Sequence, residues 1–250
     1  MPVKKKTNKA PGSGMTAKQM KRRKPISQEY MLPIEPLTDN QKVMFDEWDK
    51  GKMVYAYGVA GTGKTFVALY KALKEVLDDY SPYEKIYIVR SLVATREIGF
   101  LPGDHEDKSS LYQIPYKNMV QAMFEMPDDN SYEMLYDNLK AQETISFWFT
   151  SFIRGTTLDN SIVIIDECQN LNFHELDSII TRVGQDSKII FCGDAAQTDL
   201  IKNNERTGIL DFQKIIMNME EFAMIEFGIE DIVRSGLVKS YLISKLNLGL

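Results

Sequence analysis

Gly58-Val59-Ala60-Gly61-Thr62-Gly63-Lys64-Thr65 fits the pattern G-x-x-x-x-G-K-[ST] in full. The chemistry this arrangement suits is the binding of a nucleoside polyphosphate. Its glycines let successive backbone N–H groups turn inward on an anion. Lys64 is placed to reach the β- and γ-phosphates, and the Thr65 hydroxyl to ligate Mg²⁺. By chance the pattern arises in roughly one chain in a hundred of this length. Here it also lies between an apolar run and a helix-like stretch, the context such a loop requires.

A second group is Ile162-Val163-Ile164-Ile165-Asp166-Glu167. Four consecutive apolar residues suit a strand covered on both faces. Asp166 then stands at the carboxyl edge of a sheet beside the phosphates, holding Mg²⁺ through water. Glu167 would orient and polarise the attacking water. Paired acids at a strand end are common in unrelated proteins, and it is the upstream loop that gives them meaning. They also set the chain apart from simple switch GTPases, although GTP itself is not excluded as the nucleotide.

Further candidates are less determinate. Gln197, in Gly193-Asp194-Ala195-Ala196-Gln197 after the apolar run Ile189–Cys192, either senses the γ-phosphate or closes a local turn with Asp194. The strand before it is expected between the phosphate-loop strand and the Asp-Glu strand. Gln41 either reads the adenine edge through its amide or belongs to an ordinary helix start capped by Asp39 or Asn40. Fast hydrolysis also needs a cation on the transition state. Arg154, Arg206 and Arg234 are the candidates, with Arg234 first because it follows the last strand.

These residues must be held by a scaffold. Strands are expected at 53–57, 85–90, 161–165, 188–192 and 223–227, with helices near 65–77, 109–124, 138–153, 173–183 and 210–217. An amphipathic helix is also expected from about Gln41 to Trp48. The alternation predicts an α/β fold: a RecA-like P-loop core with a mainly parallel five-stranded sheet and helices on both faces. Residues 91–160 are too long for a plain crossover and rich in aromatics, and read as a helical insertion between the second and third strands.

The chain of 250 residues suits one large domain, assigned to 29–250. Residues 1–28 form a basic tail, expected to be disordered. The first 25 carry nine Lys or Arg and no acid, so all 35 acidic residues fall in the remainder. With two cysteines and two histidines at spacings unlike a zinc site, sulfur or imidazole metal chemistry is not expected. Cys168 and Cys192 are expected as reduced, buried thiols. No apolar run nears the ~20 residues of a membrane helix, and no signal-peptide pattern opens the chain. The expected compartment is therefore the cytoplasm, with no membrane partner.

In this order, the pieces resemble the PhoH-like family of ATPases, from about Leu37 to Lys239. Beyond the two motifs above, the resemblance rests on Gly99-Phe100-Leu101-Pro102-Gly103-Asp104, Arg154-Gly155, Thr157-Leu158, Asp166-Glu167-Cys168-Gln169-Asn170, Gly193 to Leu200, Thr207-Gly208-Ile209-Leu210 and Asp231-Ile232-Val233-Arg234. The chain departs from the family pattern at Ser91, where proline is usual, and at Ser235-Gly236, where histidine and proline are usual. Its length is similar to compact phage-type versions. The resemblance implies an ATPase related to superfamily-1 helicases, with RNA-linked activity. A single phosphate loop implies that the finger comes from another copy, hence a homo-oligomeric ring, a hexamer being one size, acting on single-stranded RNA. Two alternatives stand beside it. One is a nucleotide-gated regulator that binds a protein partner; the other is a small-molecule kinase, in which Glu167 has no evident purpose.

Overall fold

The computed structural model describes residues 26–91, 105–150, 153, 155–194 and 203–248, with side chains throughout except at 105–111 and 203–207. The 99–104 motif, Arg154, Gln197 and the Arg206 side chain therefore lie outside the described residues, as does the tail up to residue 25. Ile26 is buried in the core and Gln28–Tyr30 forms a 3-10 turn, so packing reaches into the segment assigned to the tail.

Among the described residues, six strands form one sheet: β1 (Met53–Gly58), β2 (Lys85–Arg90), β3 (Ile145–Phe149), β4 (Ser161–Ile165), β5 (Lys188–Cys192) and β6 (Phe222–Phe227). Their order is β3-β2-β4-β5-β1-β6, and every pair is parallel. As expected from the sequence, β5 lies between the strand of the phosphate loop and that of the acid pair. All five residues of β4 and of β5 are buried, as their unbroken apolar runs require of strands covered on both faces.

The helices divide between the two faces. Those before β4 are α1 (Asp39–Asp49), α2 (Lys64–Val76), α3 (His105–Gln121) and α4 (Asp129–Ala141). They cover the face formed by Val54, Ala56, Ile88, Ile164 and Ile190. After β4, α5 (Phe173–Ile180) and α6 (Asn203–Met217) cover Tyr55, Val163, Ile165 and Phe191 on the other face. Each buried isoleucine contributes about 1.5–3 kcal/mol by leaving water. Residues on one strand alternate between the two cores, the period of two that a pleated strand imposes. A seventh helix, α7 (Gly236–Asn247), buries no residue and leans on the phosphate loop, Leu242 standing 3.5 Å from where a side chain on Gly61 would begin.

The sheet has six strands where five were expected, and the insertion is the reason. The helix expected near 138–153 continues only to Ala141, where α4 ends; Glu143 takes a left-handed backbone (φ 54°) that breaks it, and a strand follows. Ile145-Ser146-Phe147-Trp148-Phe149 then pairs residue for residue with Ile86 to Arg90. A β-branched and aromatic run fits a pleated surface better than a helix, and β2 needed a partner on its outer side.

Candidate nucleotide-binding site

The phosphate loop leaves β1 at Gly58 and enters α2 at Lys64. Gly58 (φ 125°) lies so near β6 that a Cβ would meet the Phe227 carbonyl oxygen at 2.1 Å. Gly63, the residue before the first turn of α2, is left-handed (φ 84°), and a Cβ there would meet Gln41 Nε2 at 2.9 Å. These two positions explain why the loop needs glycine where it has it.

Lys64 is folded onto the loop that carries it. Its ammonium donates to Val59 O at 2.7 Å, to Gly58 O at 3.2 Å and to Thr62 Oγ1 at 3.2 Å. Burial lowers its pKa from the ordinary lysine value, opposed by the nearby Asp194, Glu167 and Asp166 carboxylates. The three acceptors are the partners a phosphate must replace.

Thr65, on the first turn of α2, donates to Asp166 Oδ1 at 2.6 Å. Parallel pairing of β4 with its neighbours delivers Asp166 here, and its backbone N–H binds Val89 O at 3.0 Å. The other carboxylate oxygen, Oδ2, accepts from the Tyr116 hydroxyl of α3. Glu167 follows in a left-handed conformation (φ 53°, ψ 43°), a costly backbone for a residue with a side chain and one that clusters at functional sites. Gln169 Nε2 donates to Glu167 Oε2 at 2.6 Å, while Gln169 Oε1 accepts from Asp194 N at 2.9 Å. Burial, reinforced by the Asp166 charge, raises the Glu167 pKa above the usual glutamate value. The Gln169 hydrogen bond and the Arg90 charge pull the other way.

These groups share a cleft of about 770 Å³, within the range of small-molecule sites. Lys64, Arg90 and Arg234 bring positive charge to it, and Asp166, Glu167 and Asp194 negative charge. Arg234 packs on Gly61 of its own chain, its Cγ 2.9 Å from where a Cβ would stand, and Val233 N donates to Gly61 O at 3.1 Å. Arg234 thus lies beside the phosphate loop of its own chain.

Gln41 is buried and also lines the cleft. Its Nε2 donates to Thr62 O at 2.8 Å and its Oε1 accepts from Leu37 N at 2.8 Å. In this arrangement it ties the phosphate loop to the segment before α1. The cap of α1 is Thr38, whose hydroxyl accepts from Gln41 N, rather than Asp39 or Asn40. Asn40 instead donates to Asp231 Oδ2. Cys168 and Cys192 are free and buried, as expected, and burial pushes the Cys168 thiol up to about 12.

Three residues of the site were not singled out from sequence. Arg90 ends β2, next to β4, and the rule that ligands gather at the carboxyl ends of parallel strands was a usable signal for it. Gln169 was quoted only within the family motif. Tyr116 had no local signal, because its partner is fifty residues away.

The donor set suits Mg²⁺. A hydroxyl and a carboxylate oxygen stand side by side at Thr65 and Asp166. Among the described residues no three His, Cys, Asp or Glu side chains form a cage. Magnesium commonly takes one or two protein oxygens and completes its shell with phosphate and water.

A family model described as PhoH-like protein matches residues 33–244 of the chain. Curated relatives include a PhoH-like protein of Mycobacterium leprae, 31% identical over 206 residues, covering 82% of this chain and 56% of its own length. A PhoH-like protein of Bacillus subtilis is 32% identical over 214 residues, covering 82% of this chain and 61% of its own length. The chain thus spans little more than half of the relatives it matches. Among solved structures, the large terminase of a thermophilic bacteriophage in complex with ADP aligns at 14% identity and a TM-score of 0.45. It covers 82% of this chain and 49% of that one, a distant likeness that carries no weight for function.

Proposed function

Because the chain belongs to the PhoH-like protein family, we propose that its cleft binds and hydrolyses ATP with Mg²⁺, and that a ring of copies uses the turnover to move on or remodel single-stranded RNA in the cytoplasm. The observation that supports hydrolysis best is the meeting of Thr65 with Asp166 beside Lys64, with Glu167 held by Gln169.

On binding, Lys64 exchanges the Gly58, Val59 and Thr62 oxygens for the β- and γ-phosphates. The loop N–H groups and the amino end of α2 receive the remaining charge. Mg²⁺ held by Thr65 and Asp166 would neutralise charge on the phosphates. Glu167 takes the proton of a water that attacks the γ-phosphorus as the bond to the bridging oxygen breaks, leaving ADP and phosphate. Its raised pKa makes it a better base than a free glutamate. Gln41 retains one N–H and one lone pair, enough to meet an adenine edge while anchoring the loop. Gln197 is assigned the γ-phosphate sensor's role.

With Arg90 and Arg234 already in the cleft, the transition state has cations from its own chain. For RNA, the basic tail supplies phosphate contacts. The insertion aromatics Tyr116, Tyr132, Tyr136 and Phe149 are buried, which leaves them to packing rather than to bases. A second reading, a nucleotide-gated protein that holds a protein partner, draws on α7. Leu237 and Tyr241 are 83% and 65% exposed on a helix that leans on the phosphate loop.

Steady-state ATP hydrolysis with and without single-stranded RNA, using Glu167→Gln as the blank, tests both. Stimulation by RNA that vanishes in the variant supports the motor. Turnover lost in the variant but indifferent to RNA supports the partner-binding reading. Turnover unchanged in the variant removes Glu167 from the mechanism.

A further inference from the structure

Tyr112 and Tyr116 stand four residues apart on α3, on one helical face. The Tyr112 ring lies 6.0 Å from the Arg90 guanidinium, and Tyr116 donates to Asp166 Oδ2. One face of the insertion therefore touches both a cation and the metal-site acid of the cleft. Tyr116 is 2% exposed, and its ring packs on Phe147 of β3 at 5.1 Å. It also forms the wall between the nucleotide cleft and a smaller cavity of about 240 Å³ lined by Tyr136, Lys140 and Trp148.

We propose that Tyr116 is a positioning residue for the magnesium site: by pinning Asp166 Oδ2 from the insertion, it fixes Oδ1 toward Thr65 and couples metal binding to the packing of α3 and β3. The inference rests on the ATP-binding reading of the same cleft. The final torsion of an aspartate is broad and two-fold, so a carboxylate held at one oxygen still rotates. Held by Thr65 at one oxygen and Tyr116 at the other, it does not. Partners of this kind, one bond behind a metal ligand, typically change metal affinity or activity by about 10–100-fold when removed.

The test is binding of a fluorescent ATP analogue, with Mg²⁺ and with chelator, to wild type, Tyr116→Phe, Asp166→Asn and the double variant. Tyr116→Phe keeps the ring on Phe147, and a melting curve checks that it folds. We expect its affinity in chelator to match wild type, and the tightening brought by Mg²⁺ to fall about tenfold. In the Asp166→Asn background the loss of the hydroxyl should change nothing. An undiminished Mg²⁺ effect in Tyr116→Phe, or an equal loss in the Asp166→Asn background, overturns the proposal. Should Tyr116→Phe not fold, ultraviolet difference spectra decide. Mg²⁺ added to the nucleotide complex should shift a tyrosine band in wild type and not in Asp166→Asn, and equal bands overturn the coupling. The ATP reading fails separately, if wild type shows no binding or Lys64→Ala binds as well as wild type.

Discussion

Gln169 holds Glu167 by a 2.6 Å hydrogen bond, and the same amide is fixed at its other end by the backbone of Asp194. A carboxylate on a left-handed residue after β4 is thereby tied to the end of β5. Gln169→Leu should leave ATP affinity unchanged and lower turnover by about 10–100-fold, less than the ~10²–10⁴-fold that a general base itself provides. Paired binding and rate measurements check this, and an affinity loss as large as the rate loss would place Gln169 in binding instead.

Glu167→Gln should bind ATP and lose about 10²–10⁴-fold in turnover. The raised pKa adds two expectations. Hydrolysis needs the carboxylate, so the acid limb of the wild-type pH–rate profile should lie above the ordinary glutamate value of about 4.3. For stability the sign is opposite. A carboxyl whose folded pKa is raised favours the fold at pH below its unfolded pKa, and that contribution is lost as pH rises through the folded value. At neutral pH the charged Glu167 therefore costs stability, and Glu167→Gln should melt higher than wild type. An acid limb at or below the ordinary value would contradict the buried environment described for this residue.

Lys64→Ala removes a cation whose three present acceptors belong to the protein. Hydrogen bonds to charged groups are worth about 1.5–3 kcal/mol, so ATP affinity should fall roughly 10–100-fold. Equilibrium titration with a nucleotide analogue measures it.

The two arginines of the cleft should separate. Arg234 packs on Gly61, so Arg234→Ala should weaken nucleotide binding more than it slows the chemical step. Arg90 acts on Glu167 and ends the strand beside β4, so Arg90→Ala should chiefly lower the rate of bound ATP. An arginine at the transition state is worth up to ~10³–10⁵-fold. Single-turnover kinetics distinguish binding from chemistry, and the reverse pattern would exchange the two assignments.

Gly193→Ala tests the packing behind the site. A Cβ there would meet Cys168 Sγ at 2.6 Å and Gln169 Oε1 at 3.2 Å. Overpacking of this kind costs about 1–3 kcal/mol, read as a lowered denaturant midpoint. Because the same clash moves Gln169, turnover should fall with stability.

The phosphate loop, the acid pair and five of the strands were legible because each is written in consecutive residues. Ile162 to Ile165 carries its burial in its own composition, and Lys64 its role in its neighbours. What was illegible depends on partners far along the chain. Ile145–Phe149 reads as helix in isolation, since its strand identity comes from β2, some sixty residues earlier, whose outer edge it covers. Tyr116 looked like any core aromatic until Asp166 was placed against it. Arg234 stands out in sequence only by following the last strand, and its approach to Gly61 is visible only in the fold. Gln41 shows a third kind of difficulty: its amide lines the cleft, yet both its observed bonds go to the backbone around it.

The strand order has a consequence for how the site comes into being. β1 is the first strand in sequence, but it lies between β5 and β6, with Val54 beside Ile190 and Met53 beside Phe222. Gly58 and Val59 are shaped by Phe227, the last residue of the last strand. Pairings so distant in sequence form slowly, because loop-closure entropy comes before their reward. The phosphate-binding segment thus precedes in sequence the strand that shapes it, and Gly58 and Val59 reach their folded setting only once β6 pairs with β1. Nucleotide capture becomes a late event of folding, and ligand added during refolding should hold the finished protein without hastening its formation.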